Sequence, residues 1–350
     1  MEIKDCTAPS YERLRPMKAT ATPTFPVYPE LAKTLLTTKK HPDTTVAHVM
    51  ATCAGYAYSD PETVAMIMAR MGLNDNHCQM IAQYVDVMFI SSTAFLIQSH
   101  DGKVVILCYR GTPPMSLITW LTDLDVNPEK IAVSFPESPG TFEVHGGFYR
   151  NVRSTRYAIV AALKRALDGH SVREDGGAVA HPLEALYITG HSLGGAMASM
   201  MTMMLVTEPA YAPIVAKLRA VYSFGQAMIG TPALAEACNE VPFLHNNVIR
   251  YVYANDIVPQ LPPTQSGAFA HFGQEYQYQT DGDGGYWHHN ATPRGQLKKL
   301  LELLVNPISF LARQVQLTRN VTFNASVEDH LPHRYLAALT PAGVTSEYGN

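Results

Sequence analysis

The sequence predicts an α/β fold, a mostly parallel central sheet flanked by helices. Three observations predict it. Short apolar runs alternate with helical stretches over most of the chain. The runs are predominantly apolar, as strands covered on both faces require. One of them leads into a serine between glycines and continues straight into an apolar helix, "LYITGHSLGGAMASM" at residues 186–200.

Taken in order, residues 1 to about 28 are rich in Pro and Thr and read as an extended arm. Asp60-Pro61-Glu62 carries the marks of a helix start: a capping acid, a proline at the first helical position and an early carboxylate. Ala94–Ile97 and Val104–Cys108 flank His100-Asp101-Gly102-Lys103 and read as a hairpin. Three further strands are expected at Ala185–Thr189, Ala220–Phe224 and Val248–Tyr253, with helices over Asn151–Leu167 and Ala196–Val206. Residues 265–290, rich in Gly, Tyr and His, read as a loop, and 297–317 as an amphipathic segment interrupted at Pro307. The expected organisation is an N-terminal arm and helical extension over 1–44, one domain over 45–340, and a short tail over 341–350.

The composition limits the function. With 350 residues, 47% of them hydrophobic and 16% charged, the chain can bury one sizeable core. A formal net charge of -4 without a Lys/Arg cluster gives no footprint for nucleic acid. Five scattered cysteines without CxxC spacing argue against zinc and a disulfide framework, and point to a reducing compartment. The first twenty residues mix acids with bases and have no apolar core, so no secretory leader is expected. Location is left open between the cytoplasm and leaderless export. No apolar run approaches the roughly 20 residues of a membrane span. The N-x-S/T triplets at Asn290, Asn320 and Asn324 are read as chance.

Chemistry concentrates at Ser192. In G-x-S-x-G between strand and helix, the glycines let the turn close and the serine stand out as a nucleophile. A serine hydroxyl needs a histidine base, itself oriented by a carboxylate. Asp256, at the end of the strand in "VIRYVYANDIVPQLPP", is the candidate acid. His271, His288, His289, His330 and His333 all follow it, and "VEDHLPHRYLAAL" is the favoured stretch, without a choice between His330 and His333. Asp281 and Asp283 mimic the start of a calcium loop, but Thr292 stands where its final Glu belongs. An oxyanion needs two donors. The N–H of Leu193 is one, and the Arg110-Gly111-Thr112 loop offers the other. Beyond that loop, Leu117, Ile118, Leu121 and Leu124 share a helical face beside Trp120, which suits a lid over an apolar substrate, residues 113–125.

These pieces together resemble the class 3 lipases, an α/β-hydrolase family that includes the filamentous-fungal triacylglycerol lipases. The resemblance covers roughly residues 45–338. It rests on "CYRGT" with "TWLTDLD", "VHGGF", "ITGHSLGGAMA", "VYSFGQ", "YANDIVPQLPP" and "DHLPHRYL", in that order. It implies the α/β-hydrolase fold and assigns Ser192 as nucleophile, Asp256 as acid and His330 as base, with Tyr335 the tyrosine that follows the base in this family. It matches Thr112 to the oxyanion residue and the Trp120 segment to a mobile lid. Ala227 and Met228 depart from the family's usual Pro and Arg.

The implied activity is triacylglycerol hydrolysis through an acyl-enzyme, at an oil–water interface, with lipid ester as partner and no cofactor or metal. A phospholipase A1 or galactolipase would use the same three residues. A feruloyl-type esterase fits the apolar lid less well, and a non-catalytic scaffold would not need the three together.

Overall fold

The structure, a computed structural model, describes residues 25–85, 90–112, 128–135, 138–262, 268–281, 284–290 and 326–344. The expected lid with Leu117, Ile118, Trp120 and Leu121 lies outside the described residues, as do the amphipathic segment 297–317 and the arm up to residue 24.

Three helices come first: α1 (Leu31–Thr37), α2 (Thr44–Tyr56) and α3 (Pro61–Met71). The start of α3 is the one its sequence announces: the Asp60 carboxylate accepts the Thr63 N–H at 2.7 Å. Asp43 caps α2 in the same manner, accepting the Val46 N–H at 3.0 Å. The stretch assigned to an N-terminal extension packs on the main body. Leu31 and Leu35 are fully buried, and the Tyr187 hydroxyl donates to the Leu35 carbonyl at 2.8 Å.

Strands β1 (His77–Val85), β2 (Ile90–Gln98) and β3 (Val104–Tyr109) form an antiparallel meander, and the β2–β3 connection is the expected hairpin. A separate two-stranded sheet, β4 (Pro128–Val133) with β5 (Gly140–His145), precedes the long helix α4 (Gly146–Leu167). The main sheet continues with β6 (Ala185–His191), β7 (Leu218–Phe224) and β8 (Val248–Val252), each parallel to its neighbour. After β6 comes α5 (Leu193–Thr207). After β7 come α6 (Pro232–Glu240) and α7 (Pro242–Asn247).

The stretch read as a loop is corrected here. Residues 274–290 form β9 (Gln274–Asp281), parallel to β8, and β10 (Gly284–Asn290), antiparallel to β9. β9 does alternate, as Gln-Glu-Tyr-Gln-Tyr-Gln, but tyrosine and glutamine supply the two sides, so no aliphatic stripe announces a strand. The sheet order among the described residues is β1-β2-β3-β6-β7-β8-β9-β10. Helix α8 (Pro332–Leu339) closes the described chain.

One core cluster lies under α4 and α5, and carries Val105, Leu107 and Tyr109 from β3. The other lies under α1, α2, α3 and α8, and carries Val104, Ile106 and Cys108 from the same strand. With both faces covered, β3, β6 and β8 are buried at every position and are largely apolar; the buried charge of β8, Arg250, is paired with Glu275 at 3.1 Å. Helix α5 is buried almost all round and accordingly lacks a polar face. No described helix is long and apolar enough to cross a membrane. The described cysteines, Cys53, Cys78, Cys108 and Cys238, are free.

Register sets up the site. Tyr109 lies opposite Gly190, His191 opposite Phe224, and Phe224 opposite Tyr251. The carboxyl ends of β3, β6, β7 and β8 therefore meet at one edge, the place where open α/β sheets gather their ligands.

Candidate active site

Ser192 stands between β6 and α5 with φ 60° and ψ -129°. For a residue with a Cβ that backbone is strained, and strain of this kind concentrates at functional turns. The flanking glycines make the turn possible. A Cβ on Gly194 would lie 2.3 Å from the Tyr109 carbonyl oxygen, and one on Gly190 would lie 2.3 Å from the Gly194 carbonyl. The turn is thus pressed against the Tyr109–Thr112 loop. That loop is held in turn by Arg110, whose Nε and Nη2 donate to the Ala57 and Ser59 carbonyls, both at 2.6 Å. Leu193 and Thr112, the expected oxyanion donors, are half-buried at this junction.

The end of β8 turns through Ala254, at φ 40°, to Asp256, which is 1% exposed. Its Oδ1 accepts the Val258 N–H at 2.9 Å. Its Oδ2 accepts the Tyr335 hydroxyl at 2.5 Å and His330 Nδ1 at 2.8 Å. Tyr335 also accepts the Tyr253 N–H at 3.0 Å, so it ties the strand end to the acid. Burial and the neighbouring Asp256 carboxylate push the Tyr335 hydroxyl well above its usual range, so it stays protonated and donates.

Of the five candidate histidines, the structure brings His330 to Asp256. His271 Nε2 bonds the Pro259 carbonyl at 2.7 Å, and burial holds its ring well below the ordinary histidine range. His333 is on α8. His288 and His289 are neighbours on β10 and so point to opposite faces of the strand, which is no arrangement for sharing a metal ion.

His330 ends a 3₁₀ turn, Glu328–His330, that is laced to the Asp256 turn. The Ser326 N–H donates to the Asn255 carbonyl at 2.8 Å, and the Asn255 N–H to Asp329 Oδ2 at 3.1 Å. A carboxylate can only accept, so Nδ1 of His330 carries the proton and Nε2 presents a lone pair. His330 Nε2 and Ser192 Oγ are both buried and make no hydrogen bond in this structure. An acceptor and a weak hydroxyl thus stand at one sheet edge, both with unused hydrogen-bonding capacity; such contacts are often loose until substrate is bound.

Sequence reasoning passed over several residues that shape this site. Gly225, at φ 59°, comes closest to it, since a Cβ there would lie 2.7 Å from Asp256 Oδ2 and 2.8 Å from His330 Nδ1. A glycine directly after a mostly apolar strand was the available signal. Asp329 shows only as the residue before His330. Tyr58, 4% exposed and bonded to His191, has no local sequence signal at all.

Residues 106–266 match the family described as Lipase (class 3). The chain is 30% identical over 211 residues to the triacylglycerol lipase OBL1 of Arabidopsis thaliana, covering 51% of this chain and 38% of that protein. It is 29% identical over 191 residues to a lipase of Rhizomucor miehei, covering 54% of this chain and 46% of that protein. The chain therefore spans less than half the length of these relatives. Among solved structures it is similar to lipase II from Rhizopus niveus, with a TM-score of 0.55 at 20% identity over 82% of this chain and 92% of that one. It is also similar to a triacylglycerol lipase whose catalytic centre is described as a serine protease triad, with a TM-score of 0.54 at 21% identity over 82% and 91%. At that identity the two structures speak for the fold, which is the α/β-hydrolase fold expected from sequence. The matched segment runs from β3 through the Ser192 turn and past Asp256, and over it the chain is similar to the class 3 lipases.

Proposed function

We propose that the protein is a serine carboxylic ester hydrolase, a triacylglycerol lipase that cleaves lipid esters through an acyl-enzyme. The buried Asp256–His330 hydrogen bond, at the same sheet edge as the strained Ser192 turn, carries this reading. In the proposed cycle His330 Nε2 takes the Ser192 proton as Oγ attacks the ester carbonyl. The N–H groups of Leu193 and Thr112 hold the tetrahedral oxyanion. His330 then passes the proton to the departing alcohol, and water repeats the cycle on the acyl-serine. Asp256 keeps the ring in the Nδ1–H tautomer and stabilises the imidazolium as it forms. Loss of one oxyanion donor costs about 10²–10³ in rate. The segment 113–125 is the proposed lid, and its apolar residues suit an oil–water interface.

The test is hydrolysis of p-nitrophenyl esters from acetate to palmitate and of a triolein emulsion, with Ser192→Ala alongside. The expected result is turnover that rises on the long, aggregated esters and a loss of about 10⁶-fold in kcat for Ser192→Ala. Turnover that survives the substitution would remove Ser192 as nucleophile. Turnover confined to soluble acetate and butyrate would mark an esterase without interfacial action, and a preference for phospholipid over triolein would mark a phospholipase.

A further inference from the structure

We infer that His191, the residue before the candidate nucleophile, is a positioning residue for His330. It holds the His330 carbonyl oxygen with one ring nitrogen and is braced by Tyr58 and the Tyr109–Thr112 loop on the other side. The inference rests on the triad reading of Ser192, His330 and Asp256.

A base bonded to its acid through Nδ1 alone can still shift with its backbone. His330 is fully enclosed, at 2% exposure, and its carbonyl needs a partner at the end of a short turn. Two residues later, Pro332 has no N–H to offer. The partner is His191 Nε2, 2.7 Å away. A carbonyl only accepts, so Nε2 carries the proton, and Nδ1 must then accept the Tyr58 hydroxyl at 2.9 Å. Both ring nitrogens are used and the tautomer is fixed. Tyr58 is itself wedged against the loop that carries Thr112: a Cβ on Gly111 would stand 2.2 Å from the Tyr58 hydroxyl oxygen and 2.5 Å from the His191 carbonyl.

The same ring touches the rest of the machinery. Its centroid is 4.6 Å from that of His330 and 5.8 Å from that of Tyr335, the tyrosine that donates to Asp256. Its own backbone runs directly into Ser192. One buried side chain therefore references the base, the acid's partner and the oxyanion loop to the nucleophile's own strand. Burial, together with the nearby His330, keeps His191 well below the ordinary histidine range. It stays neutral and does not compete for the proton that His330 carries.

The test uses the full chain as wild type, His191→Phe, His191→Gln and Tyr58→Phe. The readouts are kcat and KM on p-nitrophenyl butyrate and the downfield proton NMR signal of His330 Nδ1–H. Gln places an N–H donor at nearly the reach of Nε2, whereas Phe fills the space without one. Misplacement of the base by about 1 Å predicts a fall in kcat of about 10²-fold for His191→Phe, with KM within about twofold and the Nδ1–H signal shifted or lost. His191→Gln should recover to within about tenfold of wild type. An unaltered signal with kcat within about threefold of wild type in His191→Phe overturns the inference, as do equal losses in Phe and Gln with the signal intact. If His191→Phe does not fold, Tyr58→Phe decides, since it deletes one oxygen: unchanged kcat and signal overturn the inference, and a kcat fall at constant KM supports it. A wild type that neither turns over ester nor reacts with a fluorophosphonate at Ser192 fails the triad reading instead. The NMR signal then still reports whether His191 places His330.

Discussion

At the scale of single residues, the site depends on what is missing at position 225. Gly225 follows the last residue of β7 with φ 59°, and the space its Cβ would take is already filled by Asp256 Oδ2 and His330. The contacts of 2.7–2.8 Å are with the two groups whose mutual hydrogen bond is 2.8 Å long. Neither can yield without lengthening that bond. Gly225→Ala should therefore cost about 1 kcal/mol in backbone strain and far more in function. The expected fall in kcat is about 10²-fold, the cost of misplacing a catalytic group by about 1 Å, with the protein still folded by circular dichroism. Wild-type kcat in this variant would mean that the acid–base pair does not need its observed position. Tyr335 works in the opposite sense, through an added atom: its hydroxyl is the third donor on Asp256 and satisfies Tyr253 N–H as well.

Secondary-structure elements explain both what the sequence revealed and what it concealed. β3, β6, β7 and β8 were legible because burial on both faces makes them predominantly apolar, with Arg250 of β8 accommodated by its pairing with Glu275, and the register of these strands then aligns their carboxyl ends. The peripheral strands were concealed for the converse reason. β9 and β10 are half-exposed and written in Gln, Tyr, His and Gly, while β1 keeps an outer edge with Tyr84 at 62% exposure. Ser192 was legible because its turn is local. The Asp256–His330 contact was not, since it joins positions 74 apart, and the preference for His330 over His333 came from the family resemblance alone. The Tyr109–Thr112 loop belongs to this scale too, because it is anchored from outside itself. Arg110 reaches across to the end of α2 with two short hydrogen bonds and lies over the Phe95 ring at 5.4 Å. Arg110→Met keeps the stem but deletes both donors, and leaves the Ala57 and Ser59 carbonyls without them. With the loop loosened, Thr112 loses its place as an oxyanion donor. The expected cost is about 10²-fold in kcat with little change in KM, measured on p-nitrophenyl butyrate. An Arg110→Met enzyme as fast as wild type would take the second donor away from this loop.

For the molecule as a whole, burial beside the two cores holds several histidines neutral. His48, on α2, is 1% exposed between the Tyr28 hydroxyl at 2.9 Å and Thr340 Oγ1 at 3.4 Å, and burial lowers its pKa from 6.5 to about 4. His191 and His271 are also held well below the ordinary histidine range, by burial first. Between the lowered folded value and the unfolded 6.5, the unfolded chain binds protons that the folded chain refuses, so acid favours unfolding in that window. The stability these rings contribute is complete above about pH 6.5 and is lost as the pH falls toward 4. His48 alone accounts for about 3 kcal/mol of that change, at about 1.4 kcal/mol per pH unit. Asp329 acts in the opposite sense, since burial raises its carboxyl above 3.8, but it is one half-buried group set against the enclosed rings of His48 and His191 and the partly buried His271. Asp60, lowered by its cap to Thr63, loses its contribution only below the usual carboxylate value. The window from about pH 6.5 to 4.5 therefore isolates the histidines. Urea midpoints measured across it should fall steadily in wild type, and less steeply in His48→Gln, which keeps hydrogen-bonding capacity without a proton to gain. A flat profile in wild type would mean that these rings take up protons while folded, and that the cores admit water at low pH.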